Sequence, residues 1–489
     1  MNKPVMLFIS AAASALMLTL ASPGFDMWFL AYIALVPVLV YSAKSERPGF
    51  SLWLFGFIYY FINLRWIITS VSHFGNSPFM AGLSAAMGFA AMLALFWAVF
   101  GWVYYRKKGS SLLTAGILVC LEIIRGNILT GFPWLNLSHT QYSFLPVIQA
   151  TDLGGEHLIS LAVAYFNIAF ADFFITRNNR SITFASVFLA ALLAYGFLAE
   201  SRKYDFEPLS VRIIQPAYKQ EDKWDRAKQD DIFLTVSEML RKSEPEKFDL
   251  VMMPETVYPA FMDDSFSGYL LMRIMSENTP LIAGGIRNAS TENSVRYYNS
   301  VFMMTNDRTD IYDKRHLVPF GEYFPMKTLF KPIDYYFFKG AEDFSAGKEA
   351  KIFSAGKLNA APLVCYESAY SSLVRPQVDD GANILTVVTN DSWFGETQGP
   401  SQHLAADVMR AVEFRRYVLR AAQSGISACI ADNGDIKVSL KQGKKGYLDC
   451  EAKLINTKTI FSSIGYTWFL AFLGLTYGYD RLRRRRNND

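Results

Sequence analysis

The sequence predicts an α-helical transmembrane bundle of seven spans, a water-facing α/β domain, and one more span near the C-terminus. Three observations predict this. Of 489 residues 51% are hydrophobic and only 19% charged, short of charge for a soluble protein of this length. The N-terminal part repeatedly supplies apolar stretches of about 20 residues, the length that crosses a hydrocarbon core as a helix. From Arg202 onward the texture changes to short β-rich runs alternating with amphipathic segments. The expected divisions are 1–201 for the bundle, 202–459 for the α/β domain, 460–479 for the last span and 480–489 for a basic tail.

The seven spans fall near 5–21, 28–43, 50–70, 79–104, 111–129, 157–176 and 181–199. The first has the Lys3 and small-residue flanks of a signal peptide, but Pro23-Gly24 leads straight into a second apolar run, which reads as a retained hairpin. The fifth contains Glu122 and ends near Arg125, charges that a lipid-facing helix avoids. Positive charge stays on the cytoplasmic side of short loops. Lys3, then Lys44 and Arg47, then Arg106, Lys107 and Lys108, then Arg177 and Arg180 fall at alternate turns, while the turns near 22–27 and 71–78 hold none. The run Arg481-Leu482-Arg483-Arg484-Arg485-Arg486 follows the last span. Both termini are therefore expected in the cytoplasm and 202–459 outside.

A net charge of only +4 leaves no broad basic surface for nucleic acid. The cysteines Cys120, Cys365, Cys429 and Cys450 form no CxxC, and the five histidines form no HExxH, so no metal site and no cofactor are expected. Whether Cys429 and Cys450 pair in an oxidising compartment stays open.

In the α/β domain, strands are expected at 211–214, 250–253, 281–285, 300–305, 361–365, 384–389 and 427–431, and helices at 224–242, 265–276 and 401–421. Two Ser-Ala-Gly-Lys stretches, 345–348 and 354–357, match an SxxK pattern, but Ala-Gly before Lys favours a turn between strands. No GxSxG and no phosphate-binding Gly-Lys-Ser/Thr occurs.

Three segments carry a reactive residue at a strand end. Pro254 stops the strand 250–253 and leaves Glu255 on the loop, the edge where ligand groups of α/β sheets collect. Lys314 opens a charged segment with Pro319 and Gly321, and Cys365 ends an apolar strand. A thiol becomes a strong nucleophile as thiolate, which needs a base or a cationic neighbour. Glu255 can be that base, and Lys314 can hold the oxyanion formed when a carbonyl is attacked. His316 and His403 are rival bases. Taken singly, each residue also has a structural reading: Cys365 as a small buried hydrophobe, Glu255 and Lys314 as surface charges.

With Gly131-Phe132-Pro133-Trp134, Pro254-Glu255, the segment 314–323, Cys365-Tyr366-Glu367 and Asn390-Asp391-Ser392-Trp393-Phe394-Gly395 in this order, the chain resembles the apolipoprotein N-acyltransferases, the membrane-embedded branch of the nitrilase or carbon-nitrogen hydrolase superfamily. The resemblance covers almost the whole chain. It implies a nitrilase-like α-β-β-α sandwich in the periplasm of a cell with an inner membrane. It also implies a triad in which Glu255 is general base, Lys314 stabilises the tetrahedral intermediate and Cys365 is the nucleophile. Glu322 and Glu367 match supporting positions, and Tyr366 and Trp224 match positions near substrate. The implied reaction moves a fatty acyl chain from a phospholipid, typically phosphatidylethanolamine, onto Cys365 as a thioester. It then passes to the α-amine of a lipoprotein's N-terminal diacylglyceryl-cysteine. The alternative is a membrane-tethered amidase with the same triad, delivering its acyl group to water. Between Lys314 and Cys365, Tyr335-Tyr336-Phe337-Phe338 reads either as a lid that guides the acyl chain or as core packing.

Overall fold

The computed structural model describes residues 3–106, 110–263, 266–290, 294–325 and 343–488. Among these, four helices are long and apolar enough to cross a membrane: Lys3–Ala21, Phe79–Tyr105, Glu156–Thr176 and Arg180–Glu200. A fifth is reached if the bent pair Pro48–Asn63 and Trp66–Phe74 counts as one span. The expected count of seven plus one is therefore corrected, and each shortfall has a local cause. Over 28–43 the apolar run breaks into a turn, Trp28–Tyr32, and a short helix, Val36–Ser42. Backbone groups freed in a membrane need internal partners. Buried Asn167 supplies them, accepting from the Leu35 amide at 2.8 Å and donating to the Ala31 carbonyl at 2.7 Å.

The run over 50–70 bends by 53°, and the Asn63 carbonyl at the bend accepts from Gln402 Nε2 at 3.0 Å, a residue of the α/β domain. Ser111–Asn127 buries Glu122 and Arg125 against a returning loop: Glu122 Oε1 accepts from the Leu137 amide at 2.8 Å, and Arg125 donates to Asn136 Oδ1 at 2.5 Å. Near the C-terminus the chain divides at Gly465, with φ +56°, into Ile460–Ile464 and Thr467–Asn488, whose apolar run stops at Asp480. That last helix is tied to the bundle at both ends: Trp468 Nε1 donates to the Gly154 carbonyl at 3.0 Å, and Asp480 accepts from the Ser110 amide at 2.6 Å. Lys107 and Lys108 of the charge pattern lie outside the described residues.

The β-rich runs form two six-stranded sheets. The first contains β1 (Phe206–Gln215), β2 (Leu250–Met252), β3 (Leu281–Asn288), β4 (Tyr297–Met304), β5 (Thr309–Asp313) and β12 (Gly446–Ile455), in the order β12-β1-β2-β3-β4-β5. The second contains β6 (Phe353–Ala355), β7 (Leu358–Val364), β8 (Ile384–Thr389), β9 (Val418–Ala422), β10 (Ser427–Ile430) and β11 (Ile436–Leu440), in the order β11-β10-β9-β8-β7-β6. In each, three central strands run parallel and the outer ones antiparallel. Inner faces meet in a buried core that includes Val211, Ile213, Met252, Ile282, Val364, Val388 and Leu419.

The outer face of the first sheet is covered by Arg226–Arg241 and Ser267–Met275, that of the second by Ser371–Asp379 and Gly399–Phe414. The layering is α-β-β-α. A disulfide between Cys429 on β10 and Cys450 on β12 staples one sheet to the other. The second Ser-Ala-Gly-Lys stretch is the expected turn, between β6 and β7. The expected helix 401–421 ends earlier, at Phe414, where Arg415 turns left-handed at φ +50° and releases the chain into β9.

Candidate active site

Parallel strands that begin together also end together, so loops following β2, β5, β7 and β8 gather at one edge of the sandwich. Glu255 follows β2, Lys314 follows β5, Cys365 follows β7 and Asn390 follows β8. Glycine makes the first approach possible: a Cβ on Gly284 of β3 would stand 2.5 Å from Glu255 Cα. Glu255 is 6% exposed, and both its oxygens are engaged. Oε1 accepts from Asn299 Nδ2 at 2.6 Å and Oε2 from the Asn390 amide at 2.7 Å. This aims and holds the carboxylate.

Lys314 is 1% exposed and lies 2.9 Å from both Glu322 oxygens. Burial pulls its pKa down, but Glu322 and then Glu255 outweigh that and hold the ammonium charged, above lysine's ordinary value. Glu322 is itself fixed by the Val318 amide at 2.8 Å and by Asn299 Nδ2 at 2.7 Å. One Asn299 amide group thus bridges the Glu255 and Glu322 carboxylates.

Cys365 is half-buried and opens the turn Cys365–Ala369 with φ +50°, a left-handed conformation that costs a non-glycine residue roughly 1–2 kcal/mol. Burial first, then the charge of Glu255, push the thiol up to about 12, against the pull of Lys314. At neutral pH it rests as a thiol and needs a base to ionise.

Glu367 is fully buried but serves the backbone. It accepts from Tyr312 Oη at 2.9 Å and from the amides of Arg315, His316 and Val364 at 2.7, 3.2 and 2.9 Å, fastening the lysine loop to the cysteine turn. Tyr366 donates to the Gly131 carbonyl at 3.2 Å, and its ring lies 5.9 Å from that of Trp134. Trp66, Trp134, Phe132 and Phe394 continue this aromatic wall from the membrane helices to the cysteine turn. Trp224 ends the turn Asp222–Trp224; its side chain, like residues 335–338 of the lid reading, lies outside the described residues.

Of the two rival bases His403 is committed elsewhere, whereas His316 keeps a buried Nε2 with no hydrogen-bond partner among the described residues. The His316 ring centre lies 4.3 Å from that of Tyr370, and burial holds its pKa below the ordinary value. His403 Nε2 lies 3.0 Å from the Cys365 carbonyl oxygen, and Nδ1 lies 2.9 Å from Asp391 Oδ1. Cys365, Asp391 and His403 offer ligand atoms within 4.8 Å of one another. However, Arg420 bridges Asp391 and Asp407, and its charge holds Asp391 ionised well below the usual carboxylate range despite burial. The trio's acid and imidazole are already organised by a guanidinium.

Sequence reasoning missed Asn299, a polar residue near the start of β4, and Lys223 beside Trp224. Lys223 is 2% exposed, and burial lowers its pKa to about 8 against the charge of Glu255.

The carbon-nitrogen hydrolase family model matches residues 210–458, and the model of the apolipoprotein N-acyltransferase N-terminal domain matches residues 14–169. The chain belongs to the apolipoprotein N-acyltransferase family. A family member from Geobacter metallireducens is 30% identical over 482 residues, 94% of this chain and 92% of that protein. One from Caulobacter vibrioides is 32% identical over 507 residues, 96% and 92%. Among solved structures, a CN-hydrolase superfamily protein from Xanthomonas campestris is 19% identical, with a TM-score of 0.38 over 55% of this chain and 97% of that one. As a family member the chain is an N-acyltransferase, and its apolar helices make it a membrane protein.

Proposed function

We propose that this chain moves a fatty acyl group from a phospholipid, through a thioester on Cys365, to the α-amine of the N-terminal diacylglyceryl-cysteine of an apolipoprotein. The observation that carries the reading is the meeting of Glu255, Lys314 and Cys365 at one sheet edge, against an aromatic wall that reaches into the membrane helices.

In the first half-reaction Glu255 takes the Sγ proton as sulfur attacks the ester carbonyl. Lys314 neutralises the oxyanion. Collapse breaks the ester C–O bond, and the lysophospholipid oxygen leaves with the proton that the Glu255 carboxyl has been holding. In the second, the lipoprotein amine attacks the thioester, Glu255 takes an amine proton, and the returning thiolate recovers it. Glu322 and Asn299 aim Lys314 and Glu255, Glu367 positions both loops, Tyr366 lines the approach, and Trp224 is assigned to the substrate side by the family resemblance alone.

The same reading assigns 1–201 to the membrane part, 202–459 to a periplasmic catalytic domain, 460–479 to a C-terminal anchor and 480–489 to a cytoplasmic tail of an inner-membrane protein. The Cys429–Cys450 disulfide supports an oxidising compartment for the sandwich, and the alternating basic turns support cytoplasmic termini. Both substrates carry acyl chains whose every buried CH₂ is worth about 0.8 kcal/mol, so the thiol has to come to the bilayer.

The test presents purified protein with phospholipid labelled in its acyl chain. Hydroxylamine-labile label on wild type but not on Cys365→Ala is expected. Release of free fatty acid without accumulated label would instead point to the amidase chemistry. Replacing Tyr335, Tyr336, Phe337 and Phe338 by Ser is expected to slow thioester formation from phospholipid, and an unchanged rate ends the lid reading.

A further inference from the structure

Among the described residues, a buried charge cluster outside the site lies on the seam between the membrane helices and the sandwich. Glu156, the first residue of Glu156–Thr176, is 2% exposed. Its Oε2 lies 2.8 Å from His139 Nε2 and 3.2 Å from Arg410 Nη2, and its backbone amide donates to Glu413 Oε1 at 2.7 Å. Glu413 Oε2 accepts from Ser371 Oγ at 2.7 Å and lies 2.9 Å from Arg410 Nε. Arg410 Nη1 reaches the Ala369 carbonyl at 3.1 Å.

Ala369 is the last residue of the turn that Cys365 opens, and Ser371 begins the next helix. The far end of the catalytic turn is thus gripped from both sides by Arg410 and Glu413. These two are gripped in turn by the first residue of a membrane helix.

Taking an arginine and two carboxyl groups out of water is costly, and replacing such clusters by well-packed apolar residues is often neutral or stabilising, so stability alone is a poor reason for this one. What an ionic cluster supplies that an apolar patch does not is a fixed geometry. A nucleophile meeting a donor embedded in a bilayer needs its height fixed, because misplacement by about 1 Å costs on the order of 10²-fold in rate.

The geometry points to Glu156, Arg410 and Glu413 as positioning residues that set the height of the Cys365 turn against the membrane helices, so that acylation from a bilayer-held donor depends on them and acylation from a water-borne donor does not. This rests on the phospholipid-donor reading above.

The experiment uses the full chain in phospholipid nanodiscs, as wild type, Glu413→Gln, Arg410→Lys and Glu156→Gln. Thioester formation at Cys365 is measured with a labelled long-chain phospholipid in the disc and, separately, with a short-chain p-nitrophenyl ester in the water. The expected result is a loss of about tenfold or more with the phospholipid and a rate within about twofold of wild type with the ester. Glu413→Gln keeps the size of the side chain but exchanges one of its two accepting oxygens for an amide nitrogen, and ester turnover itself reports a folded site. Equal loss with both donors, or loss with neither, would overturn the inference alone. A wild type labelled by the ester but never by phospholipid would overturn the donor assignment and this inference with it.

Discussion

The two sheets bring different things to their common edge. The first presents groups poised for chemistry: Glu255 with one bond to each oxygen, and Lys314, held as an ammonium, whose side chain pairs with Glu322. The second presents a neutral thiol on a strained turn, backed by Asp391, His403, Asp407 and Arg420 in a connected set of bonds. The first sheet keeps proton and charge capacity unspent, whereas the second spends its capacity on holding a shape. Substitutions on the first should therefore change rate more than stability, and those behind the second the reverse.

Short of removing the nucleophile itself, the largest effect on rate is expected from Glu255→Gln, with thioester formation falling by about 10²–10⁴, the usual weight of a general base. The sign of a second measurement sharpens the comparison. The charge of Glu255 helps raise the thiol to about 12, so its removal lowers that value and increases the thiolate fraction near neutral pH. Iodoacetamide should therefore alkylate the variant faster than wild type at about pH 8 while acylation is slower. Both rates falling together with a lower melting temperature would show that Glu255 holds the structure; both falling with an unchanged melting temperature would show that alkylation also draws its proton off through Glu255.

Arg420→Met behind the second sheet leaves Asp391 and Asp407 buried without their cation and should destabilise by about 3–5 kcal/mol, read as a fall in melting temperature. Asn299→Ala frees two carboxylates from their common tie while each keeps another partner, Glu255 the Asn390 amide and Glu322 the Val318 amide. It should lower kcat by roughly 10-fold or more with little change in melting temperature. The smallest effect on rate is expected from Cys429→Ser with Cys450→Ser, which removes the staple and costs about 3 kcal/mol of stability for a closed loop of this size. Activity at 25 °C should stay near wild type. A large loss there would mean that the sheets need the covalent link to meet.

The placement of Glu255, Lys314 and Cys365 was legible because each stands where an apolar run meets a turn residue, and because the motifs keep a recognisable order. Asn299 was not, since a polar residue near the start of a strand has the same appearance whether it faces water or two carboxylates. Helix 401–421 overran because Gly399–Phe414 and β9 are both apolar on their buried sides, and the only boundary mark is Arg415 in a conformation that a sequence does not announce. The span count erred for a related reason. Apolar length predicts a crossing helix only when the backbone satisfies itself, and at Ala31, Leu35 and Asn63 distant amides do that instead.

The last of those bonds sets an order of assembly. Asn63 and Gln402 are 339 residues apart, so the bent helix enters the membrane with an open carbonyl long before its partner has been synthesised. The bundle is a provisional object until the sandwich folds on top of it. A chain cut short before Gln402 should accordingly be a substrate for membrane quality-control proteases, while the complete chain is spared.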